Sequence, residues 1–283
     1  MGLKDRRIKR ILFLAVLLVV LVGCKANIDT ETGQLIADRI IDSNTKWSFS
    51  QGWFDFLIVM PIAKLILLCE GWMGIVASII AVTILVNLVT LPMMIQSTVM
   101  SQKMNALQPQ IERIQNKYRG RSDQNSQMRM SAEISALYKK HDIKMGRTML
   151  LPFLSLPIMI AMWQAVQRIP SVYEATFCGL SMGAQPMDMI KAGKFEYIIL
   201  VVILGITQYL SVELQNILQK KNPNYKAPKN DNMKYMSLYM LVMMVFFSLN
   251  MPAAMSIYLI VTSLIAIARA VYIHYAYTLK GNK

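Results

Sequence analysis

Three polar residues recur at helical spacing inside a long apolar run. Thr83, Asn87 and Thr90 lie at i, i+4 and i+7 within TILVNLVTLPMMIQ, residues 83–96, so a helix places them on one face. Hydroxyl and amide groups exchange hydrogen bonds and carry no charge. The chemistry that they predict is therefore non-covalent, and one interpretation is that they hold neighbouring membrane helices together.

The composition favours a membrane protein. The 283 residues are 55% hydrophobic and 16% charged, whereas a soluble domain is about half apolar and about a quarter charged. Several uninterrupted apolar runs predict a polytopic helical protein. The sequence contains no zinc-type Cys/His spacing, Gly-rich phosphate loop or internal repeat, and His141 and His274 are too far apart in sequence to indicate a metal pair.

The N-terminus has the order of a bacterial lipoprotein signal. A basic stretch, MGLKDRRIKR, precedes the apolar ILFLAVLLVVL, which ends in Leu21-Val22-Gly23-Cys24. We predict a signal peptide at 1–23 and a lipidated Cys24 that carries diacylglycerol and a fatty acyl group. The alternative is an ordinary signal anchor with a chance cysteine. Cys69 and Cys178 are expected to fill apolar space rather than form a disulfide.

Two further segments precede the first span. Residues 24–52 have the polar composition of an extracytoplasmic tether. Residues 53–71 are apolar but contain Asp55, Lys64 and Glu70. A spanning helix would bury Lys64, whereas an interfacial helix would let its ammonium group reach water. We therefore predict an amphipathic helix on the outer surface, with an extra span as the alternative.

Five apolar runs predict the transmembrane helices, and the positions of Lys and Arg predict their orientation. Ten Lys/Arg fall in 98–147 and five in 219–234, but only two in 169–195. By the positive-inside rule the first two segments are cytoplasmic and the third is outside, which agrees with an external Cys24. Much of the net charge of +14 is thereby explained by topology rather than by nucleic-acid binding. The spans are predicted at about 72–95, 148–168, 196–218, 235–250 and 253–273. The first lies in a segment at 72–97, and the other four lie in a core at 148–277. A short cytoplasmic tail, 278–283, follows the core.

The cytoplasmic segment 98–147 has the pattern of a helical hairpin. Its apolar residues follow spacings of four and three, a heptad stripe: Met100, Met104, Leu107, Ile111, Ile114 and Tyr118. Residues 119–123 read as a turn, and a second apolar stripe follows at 130–138. Pro109 removes one backbone donor, so we expect a kink there. The stripe is interpreted as the seam of the hairpin, although a mobile hairpin could also offer it to a client.

Three stretches resemble the YidC-type membrane protein insertases, and the chain is similar to them over nearly its whole length after Cys24. They are LPMMIQSTVMSQKMNALQPQIERIQNKYRG at the end of the first span, LPIMIAMWQAVQR in the second and MPAAMSIYLIVTSLIAIARA in the last. The lipoprotein signal and five spans match the short form of Gram-positive bacteria. The resemblance implies an all-α polytopic membrane protein with five transmembrane helices around a polar groove, an outer interfacial helix and a cytoplasmic helical hairpin.

The resemblance also implies the function. Members of the family insert and fold membrane proteins, alone or beside the Sec translocon, through a groove that is open to cytoplasm and lipid. A hydrated groove shortens the dry path of a polar client tail, because unpaired polar groups in hydrocarbon cost several kcal/mol. No covalent step is needed, so no catalytic residue, metal or nucleotide is expected. The implied partners are nascent membrane proteins, membrane lipids and, for some members, the translocon and ribosome, without a specific nucleic-acid sequence.

Several groove positions depart from the family pattern. The first span of relatives carries an Arg where this chain has Asn87, with a Thr four residues earlier that Thr83 matches. The second span of relatives has a Gln two residues before a Pro, where this chain has Ser155. The last span of relatives has a Tyr followed by an aromatic residue, whereas Tyr258 is followed by leucine. The complete predicted groove set is Thr83, Asn87, Thr90, Ser155, Gln208, Tyr258 and Ser263.

The departures lead to a hypothesis about clients. An Arg attracts acidic groups in a client tail, whereas Asn87 can only hydrogen-bond and is less costly to keep in the membrane than a charge. We therefore expect a preference for clients with neutral or weakly charged tails. Two other functions compete with the insertase: an adaptor that recruits partners without insertion activity, and a small transporter. A transporter predicts repeated halves or midplane ionisable residues, and neither is evident in the sequence.

Overall fold

The computed structural model describes residues 36–49, 52–121, 123–141, 143, 155–221 and 232–279. The predicted signal peptide, Cys24, most of the loop 219–234 and the tail from residue 280 lie outside the described residues. Nearly all of the described chain is helical, with one two-stranded hairpin. The chain forms two compact units. Unit 1 consists of the described residues within Met1–Val86, Phe153–Gly205 and Met244–Thr262. Unit 2 consists of the described residues within Asn87–Pro152, Ile206–Met243 and Ser263–Lys283.

The first helices follow an irregular polar segment. After a 3-10 turn at Ala37–Arg39 and a π-turn at Asp55–Val59, helix α1 covers Met60–Met73. Gly74, with a φ of 77°, ends α1. This left-handed backbone conformation suits glycine because it has no Cβ.

Helix α2 covers Ile75–Lys117 and is 43 residues long. At 1.5 Å per residue it extends for about 64 Å, roughly twice the hydrocarbon thickness of a bilayer. The predicted first span and the first helix of the predicted hairpin therefore form one continuous helix. Pro92 and Pro109 both lie inside it, and the helix continues on either side of each.

The remaining elements complete the two units. Helix α3 (Gln124–Lys140) follows a turn, and α4 (Ser155–Arg168) begins the second half of the chain. Then come α5 (Pro170–Glu174), β1 (Thr176–Phe177), β2 (Leu180–Ser181), α6 (Pro186–Lys191), α7 (Glu196–Lys220), α8 (Asn232–Leu249) and α9 (Ala253–Ile273), which passes into a π-turn at His274–Leu279.

The hydrophobic core of unit 1 is formed by side chains from several helices and from the polar segment before them. It contains Ile41 from the polar segment, which is fully buried, and apolar side chains of α1, α2, α4, α7 and α9. The connection from α4 to α7 lies beside the beginning of α9, where the backbone N–H of Ala253 donates to Ala184 O at 2.9 Å and that of Ala254 to Met182 O at 3.0 Å. These bonds satisfy N–H groups that a helix N-terminus leaves without an intrahelical partner.

In unit 2, α3 packs against the second half of α2. Leu107, Ile111, Tyr138 and Ile143 form a small buried cluster. Gly120 turns the chain with a φ of 85°. The carboxylate of Asp123 then caps α3 by accepting a hydrogen bond from the backbone N–H of Ser126 at 2.9 Å.

Among the described residues, four helices are long and apolar enough to cross a membrane: Asp55–Met73, Ile75–Lys117, Glu196–Leu218 and Ala253–Ala276. The last three coincide with predicted spans. The first coincides with the segment that we predict to be interfacial, so its length and composition leave both arrangements open. Helix α8 covers the predicted fourth span, and α4 covers the described part of the predicted second one.

We expect Gly183→Ala to destabilise unit 1. A Cβ atom at this position would lie 2.6 Å from the Cα of Tyr173 and 2.5 Å from its Cδ1. Because backbone must shift, the free energy of unfolding should fall by about 1–3 kcal/mol, measured by thermal unfolding in detergent. Gly205→Ala is the control, since its new Cβ would meet nothing closer than 3.9 Å. Equal stability of both variants would contradict the close packing at Gly183.

Candidate functional site

The hydroxyl groups on α2 bond to their own helix. Thr83 is fully buried in unit 1, and its Oγ1 donates to Ile79 O at 2.6 Å. Ser78, one turn earlier, donates in the same way to Gly74 O at 2.7 Å. Such bonds to the preceding turn let Ser and Thr lie in an apolar helix without an external partner. The hydroxyls of the predicted polar face therefore do not by themselves require a groove.

Asn87 differs from its neighbours on this face. It is half-buried in unit 2, and its backbone carbonyl accepts a hydrogen bond from Thr90 Oγ1 at 3.3 Å. Its side-chain amide has two N–H donors and a carbonyl acceptor, more than one helical turn satisfies. The amide also takes up more space than a hydroxyl. Of the three predicted residues, Asn87 is thus the one whose side chain has the most hydrogen-bonding groups.

The other predicted groove residues lie on three helices. Tyr258 is buried in unit 1. In unit 2, Ser263 is buried and Gln208 is half-buried, with its backbone carbonyl accepting from Ser211 Oγ at 2.8 Å. Ser155 is the first residue of α4, and its side chain lies outside what the structure describes. Each unit therefore has its own set of buried or half-buried polar residues within apolar helices.

Three buried polar atoms of unit 1 have no hydrogen-bond partner among the described residues. They are Trp163 Nε1 on α4, Ser171 Oγ on α5 and Ser256 Oγ in the first turn of α9. Leaving a buried donor unsatisfied costs about 1–3 kcal/mol. Gln164, beside Trp163, is also buried. These atoms mark places in the apolar core where a water molecule or another polar group would gain a hydrogen bond.

A buried ion pair is the main polar feature that the sequence did not predict. Arg168 NH1 lies 3.2 Å from Asp55 Oδ2, with side chains that are 1% and 12% exposed. Arg168 Nε also donates to Arg39 O at 2.6 Å, and Arg168 O accepts from the backbone N–H of Ile41 at 2.8 Å. The sequence offered one signal for this pair. Asp55 and Arg168 are oppositely charged residues beside apolar runs, and both are predicted to lie near the outer surface.

Lys64 has backbone partners that the sequence did not predict. Its Nζ donates to the carbonyls of Asp42 and Ser43, at 3.0 and 2.9 Å, in a solvent-exposed position. The polar segment 36–49 is therefore held against the middle of α1.

The predicted hairpin stripe divides between buried and half-buried residues. Leu107, Ile111 and Tyr118 are buried, and the other members, Met100, Met104 and Ile114, are half-buried, as is Pro109 beside the stripe. Leu107 and Ile111 pack on α3, so at least part of the stripe is the seam between the two helices.

One carboxylate joins the two helices near their turn. Glu133 Oε1 on α3 accepts from Lys117 Nζ at 2.7 Å and from the hydroxyl of Tyr118 at 2.8 Å. The hydrogen bonds from Lys117 and Tyr118 lower the pKa of Glu133. In turn, the bond to Glu133 raises the pKa of Lys117 and of Tyr118. The side chains of Lys117 and Glu133 are exposed to solvent, so water and salt weaken the ion pair.

Within the part of the chain that the structure describes, no group of three or more His, Cys, Asp or Glu side chains is placed to hold a metal ion. The polar features are instead single amides, hydroxyls and ion pairs inside or beside apolar helices. Their chemistry is hydrogen bonding and charge pairing.

Comparison with known proteins identifies the family. The family model of the 60Kd inner membrane protein matches residues 68–280. The chain belongs to this family. The match begins in α1 and includes every later helix, and it identifies the chain as an all-α, multi-pass membrane protein.

Curated relatives match over most of the chain. Membrane protein insertase MisCA of Bacillus subtilis is 29% identical over 94% of this chain and 91% of the relative. Membrane protein insertase YidC of Alkalihalophilus pseudofirmus is 29% identical over 93% of this chain and 94% of the relative. Membrane protein insertase YidC 2 of Bacillus anthracis is 29% identical over 78% and 80%.

We expect Asp55→Ala to destabilise unit 1 by about 3–5 kcal/mol, because it leaves the buried Arg168 guanidinium without its counter-charge. Thermal unfolding in detergent measures the loss. The double variant Asp55→Leu/Arg168→Met should recover much of it. Asp188→Asn is the matched control, since the Asp188–Lys191 pair is exposed and 3.9 Å apart, and it should cost less than about 1 kcal/mol. A mild Asp55→Ala phenotype would refute the role assigned to the pair.

We expect acid to loosen the contact between α2 and α3. The folded pKa of Glu133 lies below its ordinary value of 4.5, so its stabilising contribution is complete above that value and is lost as pH falls through the folded pKa. Hydrogen exchange of 104–140, corrected for intrinsic rates, should show protection decreasing below about pH 4.5. Glu133→Gln should lower protection at neutral pH and flatten this dependence.

Glu112→Gln is the control for the Glu133 variant, because it removes a carboxylate from the same hairpin without touching the pair. Asp123 retains some acid sensitivity in every variant, since the hydrogen bond from Ser126 lowers the pKa of Asp123 as well. If Glu133→Gln and Glu112→Gln have the same exchange profile, Glu133 does not stabilise the hairpin.

Proposed function

We propose that this protein is a membrane protein insertase that helps integral membrane proteins to insert, to translocate their polar tails and to fold. The observation that carries the proposal is the family match over residues 68–280, supported by relatives that are named membrane protein insertases. These relatives match nearly end to end, so the proposal concerns the whole chain rather than one module.

The proposed mechanism uses polar side chains to reduce the cost of moving a client tail through hydrocarbon. The amides of Asn87 and Gln208 carry both N–H donors and a carbonyl acceptor, so they are able to exchange hydrogen bonds with a polar client tail. The unsatisfied atoms of Trp163 and Ser256 mark further polar positions in the apolar core. A client tail or its accompanying water would gain bonds there, while its apolar segment moves into lipid. No bond is made or broken, so the energy comes from burial of the apolar segment of the client.

The identity of residue 87 defines the proposed client preference. The resemblance to YidC-type proteins places an Arg where this chain has Asn87. An amide binds a carboxylate by hydrogen bonding only, whereas a guanidinium adds charge attraction in a medium that screens charges poorly. The protein should therefore prefer clients whose translocated tails are neutral or weakly charged.

The proposal includes an orientation and a set of partners. The mature N-terminus lies outside and is anchored by lipid on Cys24, and the C-terminus is cytoplasmic. The distribution of Lys and Arg supports this orientation. Nascent membrane proteins are the clients. Contact with a ribosome or the Sec translocon would involve the hairpin segment 98–147 or the basic loop 219–234, because these carry ten and five Lys/Arg residues.

The alternative is an insertase-like adaptor that recruits partners without full insertion activity. Two observations favour it. Thr83 satisfies its hydroxyl within its own helix, and positions 87 and 155 hold smaller side chains than the Arg and Gln that the resemblance implies. A small transporter is a weaker alternative because the family match accounts for the hairpin as well as the spans.

Complementation tests the function directly. Expression of this protein in a bacterium depleted of its own insertase should restore growth and insertion of a neutral-tailed reporter. Asn87→Arg should increase insertion of the same reporter with an acidic tail by several-fold, because about 1.4 kcal/mol of added attraction corresponds to tenfold in an equilibrium. Protease protection of the tail in whole cells measures insertion.

Val89→Arg is the matched control for the Asn87 variant. Val89 lies two residues away on the exposed face of α2, so it adds the same charge to the same helix on another face. It should not improve insertion of the acidic tail. If Asn87→Arg has no effect on that reporter while complementation succeeds, the tail preference is wrong and the insertase remains. If complementation fails for stably expressed protein, the adaptor is the better description.

A further inference from the structure

A short segment of unit 1, residues 175–185, lies between α5 and α6 and contains β1, β2 and the turn that joins them. We call this segment the lid. Residues 176–179 are exposed, whereas Met182 is fully buried. Leu180 and Ala184 are half-buried and pack against the hydrophobic core. The lid therefore covers part of the core but contributes few apolar side chains to it.

Two groups of hydrogen bonds connect the lid to α7 and α9. The backbone N–H groups of the first two residues of α9 donate to the carbonyls of Ala184 and Met182, at 2.9 and 3.0 Å. The hydroxyl of Tyr197, at the beginning of α7, accepts from the backbone N–H of Ser181 at 2.9 Å and donates to the carbonyl of the same residue at 3.2 Å. The lid is thus held at the beginnings of two long helices.

The hairpin within the lid is too short to be stable by itself. Its strands have two residues each, and an isolated two-stranded hairpin is at best marginally stable in water. Cys178 in its turn has a φ of 51°, a left-handed conformation that a residue with a Cβ atom rarely adopts. The closed position of the lid therefore depends on Met182 and on the bonds to α7 and α9. Segments with few buried apolar contacts open at a lower free energy than the core does.

Two buried hydroxyl groups flank the lid, and neither has a hydrogen-bond partner among the described residues. They are Ser171 Oγ in α5 and Ser256 Oγ in α9. On one side, Met182 N–H donates to Ala175 O, and the N–H of residue 175 donates to Ser171 O at 3.1 Å. On the other side, Met182 O accepts from the N–H of Ala254, two residues before Ser256. The buried Met182 is thus linked to both serine-containing turns.

Other buried serines of unit 1 satisfy their hydroxyls within their own helices. Ser78 Oγ donates to Gly74 O and Ser248 Oγ donates to Val245 O, both at 2.7 Å. A buried hydroxyl without a partner destabilises the state in which it is buried. Water would remove this cost, because it accepts from a hydroxyl and also donates to it. Hydration therefore favours a state in which the two unpartnered hydroxyls beside the lid are exposed.

We propose that the lid opens and closes, and that water reaches Ser171 and Ser256 when it is open. Hydration of the two hydroxyls partly offsets the loss of the bonds that hold the lid closed, so the open state is populated. An open lid also offers these hydroxyls to a polar segment of a client. This use rests on the proposed function, whereas the opening itself does not.

Cysteine accessibility tests the lid without depending on insertion activity. The two native cysteines of the described chain are replaced with serine, and Ser171→Cys, Ser256→Cys or the control Ser248→Cys is then introduced. Full-length protein in lipid nanodiscs, where both membrane surfaces are accessible, is treated with the negatively charged reagent sulfonatoethyl methanethiosulfonate. Mass spectrometry of the peptide that contains the new cysteine gives the rate of modification.

We expect Ser171→Cys and Ser256→Cys to be modified, and Ser248→Cys to remain unmodified over the same time. Ser248 is as buried as Ser256 but has its hydrogen bond within α8. Tyr197→Phe removes the hydroxyl that binds the lid, so it should raise the two rates by about three- to tenfold. Tyr209→Phe is its control, because it removes an exposed hydroxyl from the same helix, and it should leave both rates unchanged.

Modification of Ser256→Cys that is no faster than that of Ser248→Cys would overturn the proposal. So would rates that Tyr197→Phe does not change, because they would indicate permanent hydration rather than opening of the lid. Circular dichroism in the same nanodiscs shows whether each variant is folded. Hydrogen exchange of the unsubstituted protein needs no variant, and exchange of 175–185 as slow as that of α4 would also contradict the opening. A protein that fails complementation but shows the expected rates refutes the insertase and leaves the lid intact.

Discussion

The buried guanidinium of Arg168 is the contact on which the arrangement of unit 1 depends. Its side chain is 1% exposed and pairs with Asp55, while its Nε donates to Arg39 O. An Arg cannot lose its charge to escape the cost of burial. Each of its donors must therefore meet an acceptor, and the acceptors come from the polar segment and from the π-turn before α1. One side chain consequently holds three segments of the chain together.

Polar groups in apolar surroundings need hydrogen-bond partners. This requirement distinguishes residues with a structural role from the candidates for client contact. Thr83, Ser78 and Thr262 each donate to a carbonyl one turn earlier. Their hydroxyls are compatible with any apolar neighbour. An amide has two N–H donors as well as an acceptor, so Asn87 has more hydrogen-bonding groups to satisfy than these hydroxyls. A polar stripe in sequence thus combines residues with different physical requirements.

The predictable features were those encoded by local periodicity. Apolar run length predicted an all-α polytopic protein, which the family match confirms, and the heptad stripe anticipated the buried residues Leu107 and Ile111. The Asp55–Arg168 pair was not predicted, because 113 residues separate its partners and no local pattern connects them. The bonds of Lys64 were missed for a related reason. Its charge indicated a need for a polar partner but not that backbone carbonyls of a preceding segment would provide it.

The apolar surroundings of Asn87 within α2 give a physical reason for an amide at this position. A charged residue near the bilayer centre is stable only where water or counter-charges reach it. Among the described residues, the buried counter-charge Asp55 is already committed to Arg168, and α2 itself has no acidic residue before Glu112. An Arg at position 87 would therefore depend on hydration or on a client carboxylate for its stability. An amide has a much smaller desolvation cost and still offers hydrogen bonds. An amide at position 87 therefore makes α2 less dependent on hydration or counter-charges than an Arg would.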